Sequence, residues 1–386
     1  MKEISRCDCS FEEIRDIDSI YVDKTKDIYN LVEDEVNYYY FITRPSGFGK
    51  SLMCSTLHSL FEGKRELFKG LYIANTDYAF EKYPVLHFDF SNIKTDSFEE
   101  FRETFQNLII EQAAINGFTV ERKAPSQMLL SILDSYDGKV VIIIDEYDYP
   151  LVHATSDMNL YERIKNTFST FYSVIKNTGE KIRFVFITGV VRLTSVLYAI
   201  NNITDITFDE NYAATFGYTE EELLSNFSSY INEYMARDER KYETREDFLE
   251  AIREYYGGYR FSYRNETKVY NPITVRKFFS YGCCFEPYWE NTDVSTVAVE
   301  LVSDFHLERM ISEKPILPFS VVYTFDYSLL SEKRLRYLHV FALIFFTGAM
   351  TIADGDTEGL DLTFPNAVVR YSFRESLKNK SLHDCD

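Results

Sequence analysis

Positive charge is scarce in this chain: 41 Lys and Arg against 61 Asp and Glu leave its 386 residues with a formal net charge of −20. A field of that sign repels phosphate backbones except at local basic spots, so nucleic acid is a poor default partner. Cysteines are few, at positions 7, 9, 54, 283, 284 and 385, and none forms a CxxC pair. A structural zinc site therefore lacks its ligands, and reduced thiols are the expectation. The six histidines contain no HExxH, which removes a metalloprotease helix. The opening MKEISRCDCSFEEI holds acids and no apolar stretch, unlike a secretory signal or an Arg-rich transit peptide, so a cytoplasmic protein is expected. The longest apolar run, 340–353, is interrupted by Thr347, Gly348 and Thr351 and is short for a bilayer, which predicts a buried helix or strand pair. Internal repeats and low-complexity tracts are missing too.

What is present suits large cores: 45% of residues are hydrophobic and 16% aromatic, at a length that allows two or three domains. Four short apolar segments, Tyr38 to Thr43, Val85 to Phe90, Val140 to Asp145 and Phe184 to Thr188, read as strands of a parallel sheet covered on both faces. Helical patterns at Ser51 to Phe61, Ser97 to Asn116, Ser126 to Ser135 and Tyr161 to Thr178 alternate with them. The alternation predicts a doubly wound α/β domain over residues 1–215, and the run Gly47-Phe48-Gly49-Lys50-Ser51 after its first strand makes it one of P-loop NTPase type. After Thr215 a capping box, Thr219 with Glu222, opens a helix, and a second helix from Arg245 to Tyr256 stops at Gly257-Gly258. Residues 216–300 are thus expected to form a mostly helical lid, and 301–386 a small mixed α/β segment broken by prolines.

Directly after the first strand comes Arg44-Pro45-Ser46-Gly47-Phe48-Gly49-Lys50-Ser51. A strand entering a loop that ends Gly-Lys-Ser and opens a helix aims backbone N–H groups, a lysine and a hydroxyl at one point, as a triphosphate with its magnesium requires. The pattern GxxxxGK[ST] wants glycine where Arg44 stands. The plainer reading is a strand-to-helix turn with an exposed lysine. On the nucleotide reading Gly47, Phe48, Gly49, Lys50, Ser51 and Leu52 bind phosphate, and Ser51 reaches Mg²⁺.

The partner of such a loop is an acid at the end of a neighbouring apolar strand, and Val140 to Glu146, VVIIIDE, supplies it. Asp145 would share Mg²⁺ with Ser51, and Glu146 would take a proton from an attacking water. An ordinary strand with a charged end is the alternative. One strand, Val85 to Phe90, intervenes in sequence, which matches the branch of P-loop folds with an extra strand between loop strand and acidic strand. Thr188 closes the next strand, where a sensor of the γ-phosphate would sit, and Arg192 could neutralise transition-state charge or pair with an acid. ATP is expected over GTP because no NKxD motif appears. The adenine would be held by Tyr21 to Thr25 or by the lid after Thr215.

Together these segments resemble the AAA-ATPase-like family, relatives of the AAA ATPases often joined to a C-terminal nuclease-like domain of the PD-(D/E)XK type. The matching stretches are YVDKT (21–25), RPSGFGKSL (44–52), FEGKRELFKGLYI (61–73), YPVLHFDFS (83–91), IIDEYDYPL (143–151) and FITGVVRL (186–193). NNITDITFD (201–209), FGYTEEEL (216–223), GGYRFS (257–262) and VYNPIT (269–274) continue the series, with traces in 346–352 and 364–366. The resemblance implies an ATP-binding α/β domain in which Arg44 is the normal residue. Family loops commonly read Arg-Pro-Arg-Arg-Phe-Gly-Lys-Ser, so Ser46-Gly47 is a departure. The nuclease-like domain is expected to be missing, because the chain ends at Asp386, about where it would begin. The tripeptide ExK at Glu62, Glu121, Glu239 and Glu266 follows no suitable strand pair.

The leading expectation is an ATPase with ATP and Mg²⁺ as its cofactors, acting on an unknown protein partner or completed by a neighbouring subunit. Its rival is a nucleotide-gated interaction module that binds ATP without significant turnover.

Overall fold

A computed structural model describes residues 2–5, 9–200, 202–289, 316–331 and 336–383. The first part of the chain runs α1 (Phe11–Asp16), α2 (Thr25–Val32), β1 (Tyr39–Thr43), α3 (Lys50–Phe61), β2 (Val85–Asp89), α4 (Phe98–Ile115) and α5 (Pro125–Asp134). It continues with β3 (Val140–Asp145), α6 (Tyr149–His153), α7 (Met158–Asn177), β4 (Ile182–Gly189), α8 (Thr194–Leu197) and β5 (Thr204–Asp205). The five strands form one sheet in the order β2-β3-β4-β1-β5, and every pairing in it is parallel. Every residue of β1 and β3 is buried, including alternate ones, so both faces of the central sheet are covered. This is the expected α/β architecture with a P-loop-like doubly wound sheet.

Sheet order contains the extra strand that the sequence reading expected between loop strand and acidic strand, and it identifies which strand that is. The strand lying between loop strand β1 and acidic strand β3 is β4, whereas β2, which intervenes in sequence, pairs only with β3 at the edge. Chain order cannot reveal this, because crossover helices let successive strands be laid on either side of their predecessor. Thr188 therefore stands near the end of the strand that lies between β1 and β3.

Residues 216–289, expected to form a lid, contain α9 (Glu220–Met235), α10 (Arg245–Tyr256), β6 (Tyr259–Arg260), β7 (Lys268–Val269) and α11 (Pro272–Ser280). The Thr219–Glu222 capping box forms: Glu222 N–H donates to Thr219 Oγ1 at 3.2 Å, and Thr219 N–H to the Glu222 carboxylate at 2.8 Å. At the end of α10, Gly258 takes a φ of +89°, and a Cβ there would stand 2.0 Å from the Pro365 carbonyl oxygen. The last part holds β8 (Ile316–Pro318), α12 (Phe319–Val322), α13 (Arg336–Phe346), β9 (Thr351–Gly355), β10 (Gly359–Thr363) and α14 (Ala367–His383). The apolar run 340–353 is thus a buried helix end and a strand turning at Gly348.

Two apolar clusters hold the chain. One joins the sheet and its helices to 317–373, and the other joins α9, α10 and α11 to Val22 and Val368. Among the described residues no helix is long and apolar enough to cross a membrane. Cys54, Cys283 and Cys284 are free thiols, as expected, but Cys9 is disulfide-bonded, which corrects the expectation of reduced thiols at that position. Residues 290–315, within the expected lid and mixed segments, lie outside the described residues.

Candidate functional site

Register brings the predicted residues to one edge of the sheet. Ile42 is level with Thr188, Ile144 with Ile187, and Asp89 with Asp145, so β1, β4 and β3 end together. Ligands gather at this carboxyl edge in open parallel sheets. The phosphate loop leaves β1 there. Gly47 and Gly49 take φ of +84° and +85°, conformations that cost glycine little, and Gly49 is the N-cap of α3. Lys50 and Ser51 open that helix, whose free N–H groups and dipole favour an anion.

Lys50 is nearly buried, and its Nζ stands 3.3 Å from Oε1 of Glu146. Glu146 has a φ of +51°, uncommon for a residue with a side chain, and its N–H turns back to Asp145 Oδ1 at 3.0 Å. Strain of this kind, about 1–3 kcal/mol, concentrates at functional sites. Burial, then the neighbouring Glu146, pushes the Asp145 carboxyl up to about 7, while a hydrogen bond from Ser51 and the charge of Lys50 oppose the rise. Of the two residues expected to hold the metal, Ser51 opens α3 and Asp145 ends β3.

Thr188 is fully buried, and its hydroxyl has no hydrogen-bond partner among the described residues. An orphaned hydroxyl costs about 1–3 kcal/mol, so it points to a ligand or water satisfying it in use. Arg192 is placed differently. It donates to Asp205 at 2.7 Å, to the Thr194 hydroxyl at 2.8 Å and to the Tyr323 carbonyl at 3.1 Å. Of its two foreseen roles, the structure displays the pairing with an acid.

Arg44 turns away from the loop mouth. Its guanidinium is buried, donating to the carbonyls of Thr43 and Thr207 at 2.8 Å and of Tyr212 at 3.2 Å, and it lies 4.3 Å from the Phe261 ring centroid. Burial lowers its pKa to about 9, which leaves it charged at neutral pH. In place of the missing glycine stands a pin fastening the end of β1 to 207–212. Phe48 points inward as well, edge-on to Tyr259 at 4.9 Å and Phe261 at 5.0 Å.

Beside the loop lies a narrow cleft of about 60 Å³, lined by Tyr21, Val22, Gly49, Leu52, Gly217 and Pro272 among others. Both stretches expected to hold the base thus reach one cleft. The family segments interlock around it: Lys24 Nζ bridges the Glu222 carboxylate at 2.6 Å and the Ala214 carbonyl at 2.7 Å. Asp23 accepts from Tyr72 N–H at 2.7 Å, and Thr215 donates to Asp27 at 2.6 Å.

Comparison with known proteins agrees with this geometry. Residues 9–197 match the family model AAA-ATPase-like, described as a predicted AAA-ATPase. This stretch belongs to the AAA-ATPase-like family. Membership supports nucleotide binding as the coarse function of the AAA-ATPase-like region, in line with its loop. A protein of Azotobacter chroococcum mcd 1, described as an uncharacterized protein in the vnfD 5' region, is 28% identical over 379 residues. The alignment covers 95% of this chain and 68% of that protein.

Sequence reasoning missed Asp148. It is buried, and its carboxylate accepts the N–H groups of Val190 at 3.1 Å and Val191 at 2.6 Å, fixing the turn after β4. Burial, then Glu146, pushes it up to about 7. Gly189 makes room, since a Cβ there would stand 2.2 Å from Asp148 Oδ1. Tyr147 braces the same turn, accepting from Leu193 N–H and donating to the Val191 carbonyl, both at 2.7 Å. The family stretches IIDEYDYPL and FITGVVRL contained the signal, a third acid and a glycine.

Proposed function

We propose that the chain binds ATP with Mg²⁺ and hydrolyses it, and that the hydrolytic cycle drives a conformational or partner-directed task. The observation that carries this reading is the convergence of Lys50, Ser51, Asp145 and Glu146 at one sheet edge, with Lys50 3.3 Å from Glu146. Convergence of an anion-binding loop, a buried acid and a second, more exposed acid fits phosphoryl transfer to water, where positioning and charge stabilisation do most of the work.

In this reading the loop amides and Lys50 hold the β- and γ-phosphates. Ser51 and Asp145 suit Mg²⁺, which when bound would neutralise charge developing on the phosphate oxygens. No cluster of three His, Cys, Asp or Glu occurs among the described residues. The donor set still fits, because magnesium in P-loop sites takes one or two protein oxygens and fills its shell with water and phosphate. Glu146, 23% exposed, orients water and accepts its proton. Thr188 donates its unpaired hydroxyl to the γ-phosphate. The cleft between Tyr21, Leu52 and Gly217 takes the base against largely apolar walls.

Binding of a labelled ATP analogue in Mg²⁺ tests the first half. Wild-type protein should bind and Lys50→Ala should not. Absence of wild-type binding removes the proposal.

The engagement of Arg192 with Asp205 and Thr194 favours a second reading, a module that binds ATP without significant turnover. Phosphate release across protein concentrations separates the two. Turnover that rises with assembly marks a site completed by a neighbouring subunit, and negligible turnover throughout marks the binding module.

A further inference from the structure

The phosphate loop is held from outside by a residue 225 positions later in the chain. Asn271 is the N-cap of α11, its Oδ1 accepting from Ile273 N–H at 3.0 Å and Thr274 N–H at 3.2 Å. The other end of the same carboxamide, Nδ2, donates to the Ser46 carbonyl at 3.1 Å. Ile273 N–H in turn reaches the Gly47 carbonyl at 3.4 Å. The approach is close enough that a Cβ on Gly47 would stand 2.8 Å from Nδ2. Gly47 is therefore needed for space as well as for its positive φ.

These contacts have a directional consequence. A trans peptide is planar, with its C=O and N–H pointing to opposite sides. Holding the Ser46 and Gly47 carbonyls toward Asn271 and Ile273 turns the next two amides, Gly47 N–H and Phe48 N–H, the other way. On the nucleotide reading that is the side on which the phosphates sit, beside Lys50 and the start of α3. A loop with two glycines at positive φ has much freedom to lose, so an external tether that pre-sets its amides raises affinity for an anion. The same helix contributes Pro272 to the cleft that Gly49 and Leu52 line.

We propose that Asn271 is a positioning residue of the nucleotide site, which turns the Gly47 and Phe48 amides toward the phosphates and makes docking of α11 and binding of nucleotide one linked equilibrium. The inference rests on the ATP-binding reading of the loop. It goes beyond that reading in making the lid part of the phosphate cradle.

Asn271→Asp provides the test, because aspartate keeps the helix cap but sets an acceptor against the Ser46 carbonyl. The melting temperature without nucleotide should stay within a few degrees of wild type, while affinity for ATP with Mg²⁺ falls about tenfold or more. A variant that melts normally and binds ATP within twofold of wild type overturns the proposal. If wild-type protein does not bind ATP, the nucleotide reading itself falls and takes this inference with it. Hydrogen exchange on the wild type decides independently of the variant's folding: ATP should slow exchange at 47–51 and at Ile273 and Thr274 together. Protection of 47–51 alone overturns the linkage.

Discussion

Lys50 Nζ and Glu146 Oε1 lie 3.3 Å apart across the mouth of the phosphate loop, the lysine buried and the glutamate partly open to solvent. Without nucleotide, each neutralises the other. On the proposed ATPase reading, a bound phosphate would compete for the lysine and free the carboxylate to face water, so that arrival of the anion would itself prepare the base.

Replacing Glu146 by Gln should separate binding from chemistry. Phosphate release is expected to fall about 100-fold or more, while ATP affinity holds or improves because Lys50 no longer has a competing anion. Parallel binding and phosphate-release assays check this. Undiminished turnover in the variant would remove Glu146 from the chemistry.

Thr188→Val exchanges an unpaired buried hydroxyl for a methyl of the same shape. Stability should be unchanged or slightly raised, since an unmet polar group is relieved. Turnover is expected to drop by about tenfold or more if the hydroxyl meets the γ-phosphate. A variant with full turnover would make Thr188 a packing residue only.

Arg44→Lys should destabilise the fold by about 2–3 kcal/mol, because one ammonium cannot serve three spread carbonyls from inside the core. Urea denaturation at neutral pH measures the loss. Stability equal to wild type would show that the pin does not hold the end of β1.

Asp145, pushed up to about 7 from an ordinary value of 3.8, ties stability to pH in a definite direction. The folded form binds a proton that the unfolded chain has lost between about 4 and 7, so this carboxyl's contribution to stability falls as pH rises through that window. Asp145→Asn should flatten the slope, seen as a smaller difference in melting temperature between pH 5 and pH 8. Magnesium has the opposite preference, needing the carboxylate, so the Mg²⁺-dependent part of ATP affinity should strengthen from pH 6 to pH 8. An unchanged melting slope in Asp145→Asn would move the linkage to other groups.

Much of this was legible in one dimension. The apolar strands, the Thr219–Glu222 capping box and the Gly-Lys-Ser loop depend on neighbours within a few positions, which sequence displays directly. Which strand fills the place between β1 and β3 was not legible, nor was the turn of Arg44 into the core, because both depend on which distant segments come together. Asp148 was not legible either, because the amides that close on it belong to Val190 and Val191, in another segment of the chain.

By itself the sequence determined a strand, an anion-binding loop and an acidic strand end, since each rests on local backbone preference and on burial read from periodicity. Only the tertiary structure decided that Lys50 faces Glu146, that β4 with Thr188 at its end lies between β1 and β3, the hydroxyl unmet among the described residues, and that Asn271 holds the loop from outside. Those are contacts between segments far apart in the chain. Packing of the whole fixes them, and no local preference encodes it.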